Sequence, residues 1–173
     1  PVGFERLHRL VAGAGGALPV QSRPAPTITV DDRYAFELGG VHFELLACDG
    51  AETEDSLLVW LPQQRICFTG NAMGALFGHF PNLVTIRGDR YRDPLKYVEV
   101  LDRLLALDAE MLCVGHFDPV VGRDRIRSEL TRMKGAVLHV HDAIVAAMNA
   151  GGDVWTAMRE IELPPEFEVG EGY

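Results

Sequence analysis

The amino-acid sequence predicts a layered α/β domain built on a mixed sheet. Three observations carry that reading. Strand-like runs joined by hairpin signals come first, strand–helix units follow, and helical periodicity fills the last third. Such an order feeds a sheet with both antiparallel and parallel neighbours, and helices to pack on it.

The elements follow in chain order. FERLHRLVA (4–12) reads as a short amphipathic helix, stopped by the glycines of AGAGG. Pro19, Pro24 and Pro26 make an extended connector. ITV (28–30), YAFEL (34–38) and VHFELLA (41–47) read as strands, and Gly39-Gly40 between the last two is a hairpin signal. SLLVWL (56–61) is a continuous apolar run, as expected of a buried strand, and RICFTG (65–70) returns after Pro62-Gln63-Gln64. Residues 71–91 hold Gly, Asn and aromatics without periodicity, the mark of a functional loop. Asp93-Pro94 then opens a helix, with Asp as N-cap and Pro at the first helical position. Its apolar positions are Leu95, Val98, Leu101, Leu104 and Leu105. MLCVG (111–115) is a strand that delivers His116. A long helix runs from Arg123 to about Asn149 and stops at Gly151-Gly152, and a short one spans Asp153 to Ile161. The expected organisation is an N-terminal helix and connector (1–26), a central α/β segment (27–122) and a helical tail (123–173).

Composition narrows the function. The chain has 173 residues, 47% hydrophobic and 24% charged, a globular balance with no apolar run of membrane-spanning length. A net charge of −9 argues against a nucleic-acid partner, which needs concentrated Lys and Arg. One local Arg or a metal can still favour an anionic small molecule inside a pocket. Cys48, Cys67 and Cys113 form no CxxC pair and read as buried free thiols, which leans toward the cytoplasm. The chain starts at Pro1 without a basic-then-apolar leader, so an upstream part is expected outside it.

Three residues stand just past expected strands and face irregular chain: Glu52, Asn71 and His116. A carboxylate, an amide oxygen and an imidazole could together bind zinc or a similar ion. Read singly, Glu52 is a solvated loop acid, Asn71 a turn residue and His116 a histidine closing a strand. Spacing alone does not make them a site. His79, in the loop before Asn82, is a replacement ligand, a general acid, or only a loop residue. Asp118 could orient His116 from behind. His139 and His141 lie two apart on a helix, about 200° around it, so they cannot share a metal.

The run AETEDSLLVWLP, then RICFTGNAMG, then MLCVGHFDPVVG resembles three consecutive late motifs of the metallo-β-lactamase superfamily. Glu52 at the first motif, PNLVTIRGDRYRD (81–93) after the second, and the tail HVHDAIVAAMNAGGDVWTAMREIELPPEF are similar to the alkylsulfatase-like branch. The resemblance implies the C-terminal half of an αββα sandwich that lacks its N-terminal half. It implies Glu52, Asn71 and His116 as metal-side residues, with one or two zinc ions. It implies Asn82 and Arg87 as contacts to a sulfate group, where a guanidinium fork suits a tetrahedral oxyanion. Arg87 read structurally would instead pair with Asp89 or Asp93.

Two departures matter. The HxHxDH motif expected upstream is absent from this chain. An acidic bridging ligand is expected where Asn71 stands, and an amide brings no charge to hold two cations together. The expected function is metal-dependent hydrolysis of a small anionic ester such as an alkyl sulfate. A carboxylic or thioester hydrolase is the enzymatic rival. A non-catalytic subunit is the other, pairing with an upstream half, a partner chain or a second copy through an exposed apolar face or the Val137, Val140, Ile144, Ala147 and Met148 stripe.

Overall fold

A computed structural model describes residues 9–13, 25–50, 53–73, 77–83 and 92–168. Six strands form one sheet in the order of the chain: β1 (Arg33–Leu38), β2 (Val41–Ala47), β3 (Leu57–Leu61), β4 (Ile66–Gly70), β5 (Met111–Val114) and β6 (Val120–Val121). All neighbours are antiparallel except β4 and β5. A parallel pair needs a crossover, and α1 (Pro94–Leu107) supplies it. After β6 come α2 (Arg123–Asn149), α3 (Val154–Glu160) and a 3₁₀ turn, Pro165–Phe167.

Local chemistry sets the helix ends. The Asp93 carboxylate accepts the Leu95 N–H at 2.8 Å, and Pro94 begins α1 as expected. Asp108 ends α1 in the left-handed region at φ 51°. Asp153 accepts the N–H groups of Trp155 and Thr156, at 3.0 and 3.1 Å, and so caps α3.

Among the described residues, only one face of the sheet meets helices. Register aligns Trp60, Cys67, Leu112 and Val120 across β3 to β6, and Leu46 with Leu58 beside them. These side chains are buried against Tyr97, Val100, Leu101 and Leu104 of α1 and Ile126, Leu130, Met133 and Val137 of α2. Leu58, Leu101, Leu112 and Leu130 lose essentially all solvent contact, and each such burial contributes about 1.5–3 kcal/mol. Cys48 and Cys67 are buried, Cys113 is half-buried, and all three are free. Burial pushes the Cys48 and Cys67 thiols up to about 12, so neither is a ready nucleophile.

The tail folds back on α2. The Phe167 ring lies where a Cβ on Gly135 would be, within 2.3 Å of that position, so only glycine fits there. His139 bonds through Nε2 to the Glu162 carbonyl at 3.0 Å, and His141 contacts Asp142 instead. The two histidines serve separate local contacts, as their helical spacing requires.

Three details differ from the expected elements. Residues 28–30 form no strand, because β1 pairs only with β2 and the sheet stops there. Val120–Val121 form a strand too short to announce itself, held by pairing with β5. On α1, Leu95 is 44% exposed while Tyr97 and Val100 are buried, so the inward stripe is rotated from the one expected. Among the described residues, no helix is long and apolar enough to cross a membrane.

Candidate functional site

The parallel pair β4–β5 brings two of the candidate residues side by side. Gly70 is in register with Val114, and the Gly115 N–H donates to the Gly70 carbonyl at 2.7 Å. Asn71 and His116 therefore leave adjacent strand ends, the place where open α/β sheets gather ligands. Gly70 turns at φ 51°, and the Ala72 N–H donates to the Thr69 carbonyl at 3.0 Å, which folds the chain tightly around Asn71.

Gly115 lets the two strand ends close. A Cβ built at position 115 would lie 1.9 Å from Asn71 Oδ1. The half-buried Asn71 amide thus rests directly on the backbone that precedes His116. His116 itself is exposed, and the next residue, Phe117, holds a left-handed φ of 65° with its ring 6.4 Å from the imidazole. The loop returns at once into β6, so it is anchored in the sheet at both ends. Asp118 is exposed and makes no hydrogen bond to His116 among the described residues, so it does not orient the ring.

His79 and Asn82 share the stretch 77–83. Its flanks, Phe77 and Leu83, pack on the same core that buries Ala72 and Met73. Gly78 is buried at φ 87°, and a Cβ there would come within 3.1 Å of Glu129 Oε2 on α2. The stretch is thus laid against the long helix, and His79 is half-buried. Asn82 is exposed, and its carbonyl accepts from Arg92 Nη1. The Arg92 N–H donates to the Leu83 carbonyl at 3.2 Å. Arg92 carried no signal in the sequence beyond its charge, yet it fastens the backbone on which Asn82 sits.

Glu52 and Arg87 lie outside the described residues. The turn after Glu52 is well tied: the Thr53 N–H donates to Ser56 Oγ at 3.0 Å, Thr53 Oγ1 to Asp55 at 2.6 Å, and the Gly50 N–H to the Thr53 carbonyl at 3.3 Å.

The donor chemistry fits a metal ion in part. Neither an amide nor an imidazole ligand brings negative charge, and zinc takes four ligands, usually with at least three from protein. Among the described residues no group of three or more His, Cys, Asp or Glu gathers in one place.

No family model matches the chain. It is 30% identical over 143 residues to the linear primary-alkylsulfatase of a Pseudomonas strain, covering 83% of this chain and 26% of that protein. The stereoselective inverting sec-alkylsulfatase Pisa1 from Pseudomonas sp. superposes with a TM-score of 0.72 at 23% identity, over 83% of this chain and 23% of that one. A metallo-beta-lactamase family protein from Thermus thermophilus gives a TM-score of 0.54 at 21% identity, over 85% of this chain and 48% of that one. The chain spans about a quarter of the length of the curated relatives it matches. Sequence similarity and fold agree with the resemblance read from the motifs. The chain is a homologue of one segment of the alkylsulfatases and is built as part of a metallo-β-lactamase-type fold.

Proposed function

We propose that this chain is the anion-holding segment, and part of the metal-holding segment, of a hydrolase acting on sulfate esters. The observation that carries the proposal is the seating of Asn71 on Gly115 beside His116, at the open ends of the parallel pair β4–β5. Both residues follow directly on paired strands of the sheet, which supports the reading.

Glu52, Asn71 and His116 would hold one zinc ion, with Glu52 bringing the charge that the other two lack. Zinc, when bound, supplies Lewis-acid polarisation of an oxygen. The remaining work falls to the chain's own side chains. The Arg87 guanidinium and the Asn82 amide would grip the sulfate oxygens, a fork and a donor against a tetrahedral anion. They would do so in a chain of net charge −9, where a local cation is needed to draw an anion in. His79, half-buried near Asn82 in sequence, would hand a proton to the departing alcohol oxygen. The similarity to alkylsulfatases supports the sulfate ester over other esters. A second polypeptide segment would supply the further ligands that four-coordination demands.

The test has two readouts. Elemental analysis of protein purified without chelator is expected to find about one zinc per chain, lost in Glu52→Ala and in His116→Ala. Binding of an alkyl sulfate is expected to weaken about tenfold to a hundredfold in Arg87→Ala, the loss of one charge-assisted fork. Zinc retained in both ligand variants would remove the metal site. Unchanged affinity in Arg87→Ala would move the substrate to a carboxylic or thioester class.

A further inference from the structure

Residues 115–119 join β5 to β6, and their backbone is constrained from both ends. Met111 pairs with Val121 and Leu112 with Val120, so the chain must leave β5 after Val114 and be back by Val120. Gly115 is committed to the close approach: its N–H donates to the Gly70 carbonyl at 2.7 Å, and a Cβ there would overlap the Asn71 amide. At the other end, the ring of Pro119 fixes its own φ at about −65° and pushes Asp118 toward extended backbone. The reversal therefore falls on His116 and Phe117. Of residues 115–119, only Phe117 is left-handed, at φ 65°.

That conformation crowds any residue with a Cβ, and Gly, Asn and Asp are the residues that accept it readily. Among the described residues, Arg65 and Asp108 are the other non-glycine residues that adopt it. Those two meet each other in an ion pair at 2.6 Å, and Asp108 is a helix C-cap, where left-handed backbone is usual. Phe117 caps no helix, and its ring is no member of the hydrophobic core, so core packing does not impose the bend. Strained residues held in place by their surroundings cluster where ligands are bound.

We infer that Phe117 is a positioning residue for His116: its left-handed bend, clamped between Gly115 and Pro119, fixes the direction in which the imidazole leaves the sheet. The tie from Gly115 to β4 holds the His116 backbone on one side, and the bend holds it on the other. Side-chain rotamers follow backbone φ and ψ, so a backbone held on both sides narrows the choices of the ring. The Phe117 ring is only a neighbour of the imidazole, 6.4 Å away and tilted by 45°. The role lies in the bend and not in the phenyl group. That His116 is a metal ligand rests on the reading above, whereas the bend stands without it.

The test compares two variants of the full chain. Phe117→Asn keeps a residue that accepts left-handed backbone and removes the ring, whereas the branched Cβ of Phe117→Val excludes that backbone. Zinc affinity is measured by competition with a coloured chelator. Order of the His116 ring is measured on metal-free protein, by the nuclear Overhauser contacts of the imidazole. Phe117→Asn is expected to keep the wild-type zinc affinity, and Phe117→Val to lose about tenfold or more, as when a residue orienting a ligand is removed. Wild type and Phe117→Asn should show one set of His116 ring contacts, and Phe117→Val an average over several rotamers. Circular dichroism checks that each variant folds. If Phe117→Val does not fold, Pro119→Ala releases the other clamp and should give a smaller loss in the same direction. Equal losses in Phe117→Asn and Phe117→Val would overturn the inference and give the role to the ring. Unchanged values in Phe117→Val, or in Pro119→Ala where it stands in, would overturn it as well, and so would a wild-type His116 ring that is already averaged. A wild type that binds no zinc, with a His116 ring ordered in Phe117→Asn and averaged in Phe117→Val, would remove the metal reading and uphold the inference.

Discussion

β4 and β5 run side by side, and their two ends are finished in opposite ways. At the starting end, Arg65 reaches Asp108 at 2.6 Å, Arg127 reaches the same carboxylate at 2.9 Å, and Arg123 reaches Glu110 at 2.8 Å. The Glu110 N–H closes back on the Arg65 carbonyl at 2.9 Å. Every charge there is answered by another. At the far end stand Asn71, Gly115 and His116, and among the described residues no ion pair involves His116. One scaffold thus holds a finished structural end and an end at which His116 stays exposed. A polar group already satisfied by its neighbours serves the fold. One held rigidly with capacity to spare is where binding is to be sought.

Gly115→Ala should disturb the open end most. Gly115 does not have a left-handed φ, so its backbone suits alanine and any penalty is steric. The new methyl would overlap the Asn71 amide, and overpacking of that kind costs about 1–3 kcal/mol. Thermal unfolding should fall by about 2–4 °C per kcal/mol. Zinc content should fall with it, since Asn71 must swing away from His116. An unchanged melting point with unchanged zinc would show that Asn71 does not depend on this seat.

Asn71→Asp sharpens the contrast at nearly constant volume. It adds the charge that the open end lacks. Zinc affinity, measured by competition with a coloured chelator, is expected to rise by about tenfold or more. Unchanged zinc affinity would mean that the two side chains do not share a space in solution.

Much of this was readable in the sequence. The strands β1 to β5 and the helices α1 and α2 announce themselves because periodicity, Gly-Gly and Asp-Pro all point to the same boundaries. Residues 28–30 have strand-like residues but no partner strand, and pairing is what makes a strand. β6 exists only through its ladder to β5, so two valines could not reveal it. The candidate site was legible residue by residue but not as a site. Asn71 and His116 leave neighbouring strand ends through a parallel crossover, which local pattern does not encode, and the resemblance supplied their association. Gly115 makes the close approach of the two strand ends, a contact that exists only once the crossover has brought them together. Arg92 gave no hint, because its partner is a backbone carbonyl.

The smallest expected effect lies at the closed end. A hydrogen bond from Arg127 holds the Asp108 carboxyl below its ordinary value, helped by the charges of Arg123 and Arg65. A carboxylate depressed in the folded state stabilises the fold above its unfolded pKa of about 3.9, and that contribution is lost as pH falls through the folded value. Asp108→Asn removes the charge while keeping a residue that tolerates the left-handed φ of 51°. The variant should therefore melt slightly below wild type at pH 7, and the difference should vanish as pH falls through the depressed folded value and the native carboxyl protonates. High salt should shrink the difference too, because the cluster is partly exposed. A gap that persists into acid would mean that Asp108 acts through its helix-capping geometry and not through its charge, and the closed end would then owe its order to backbone shape.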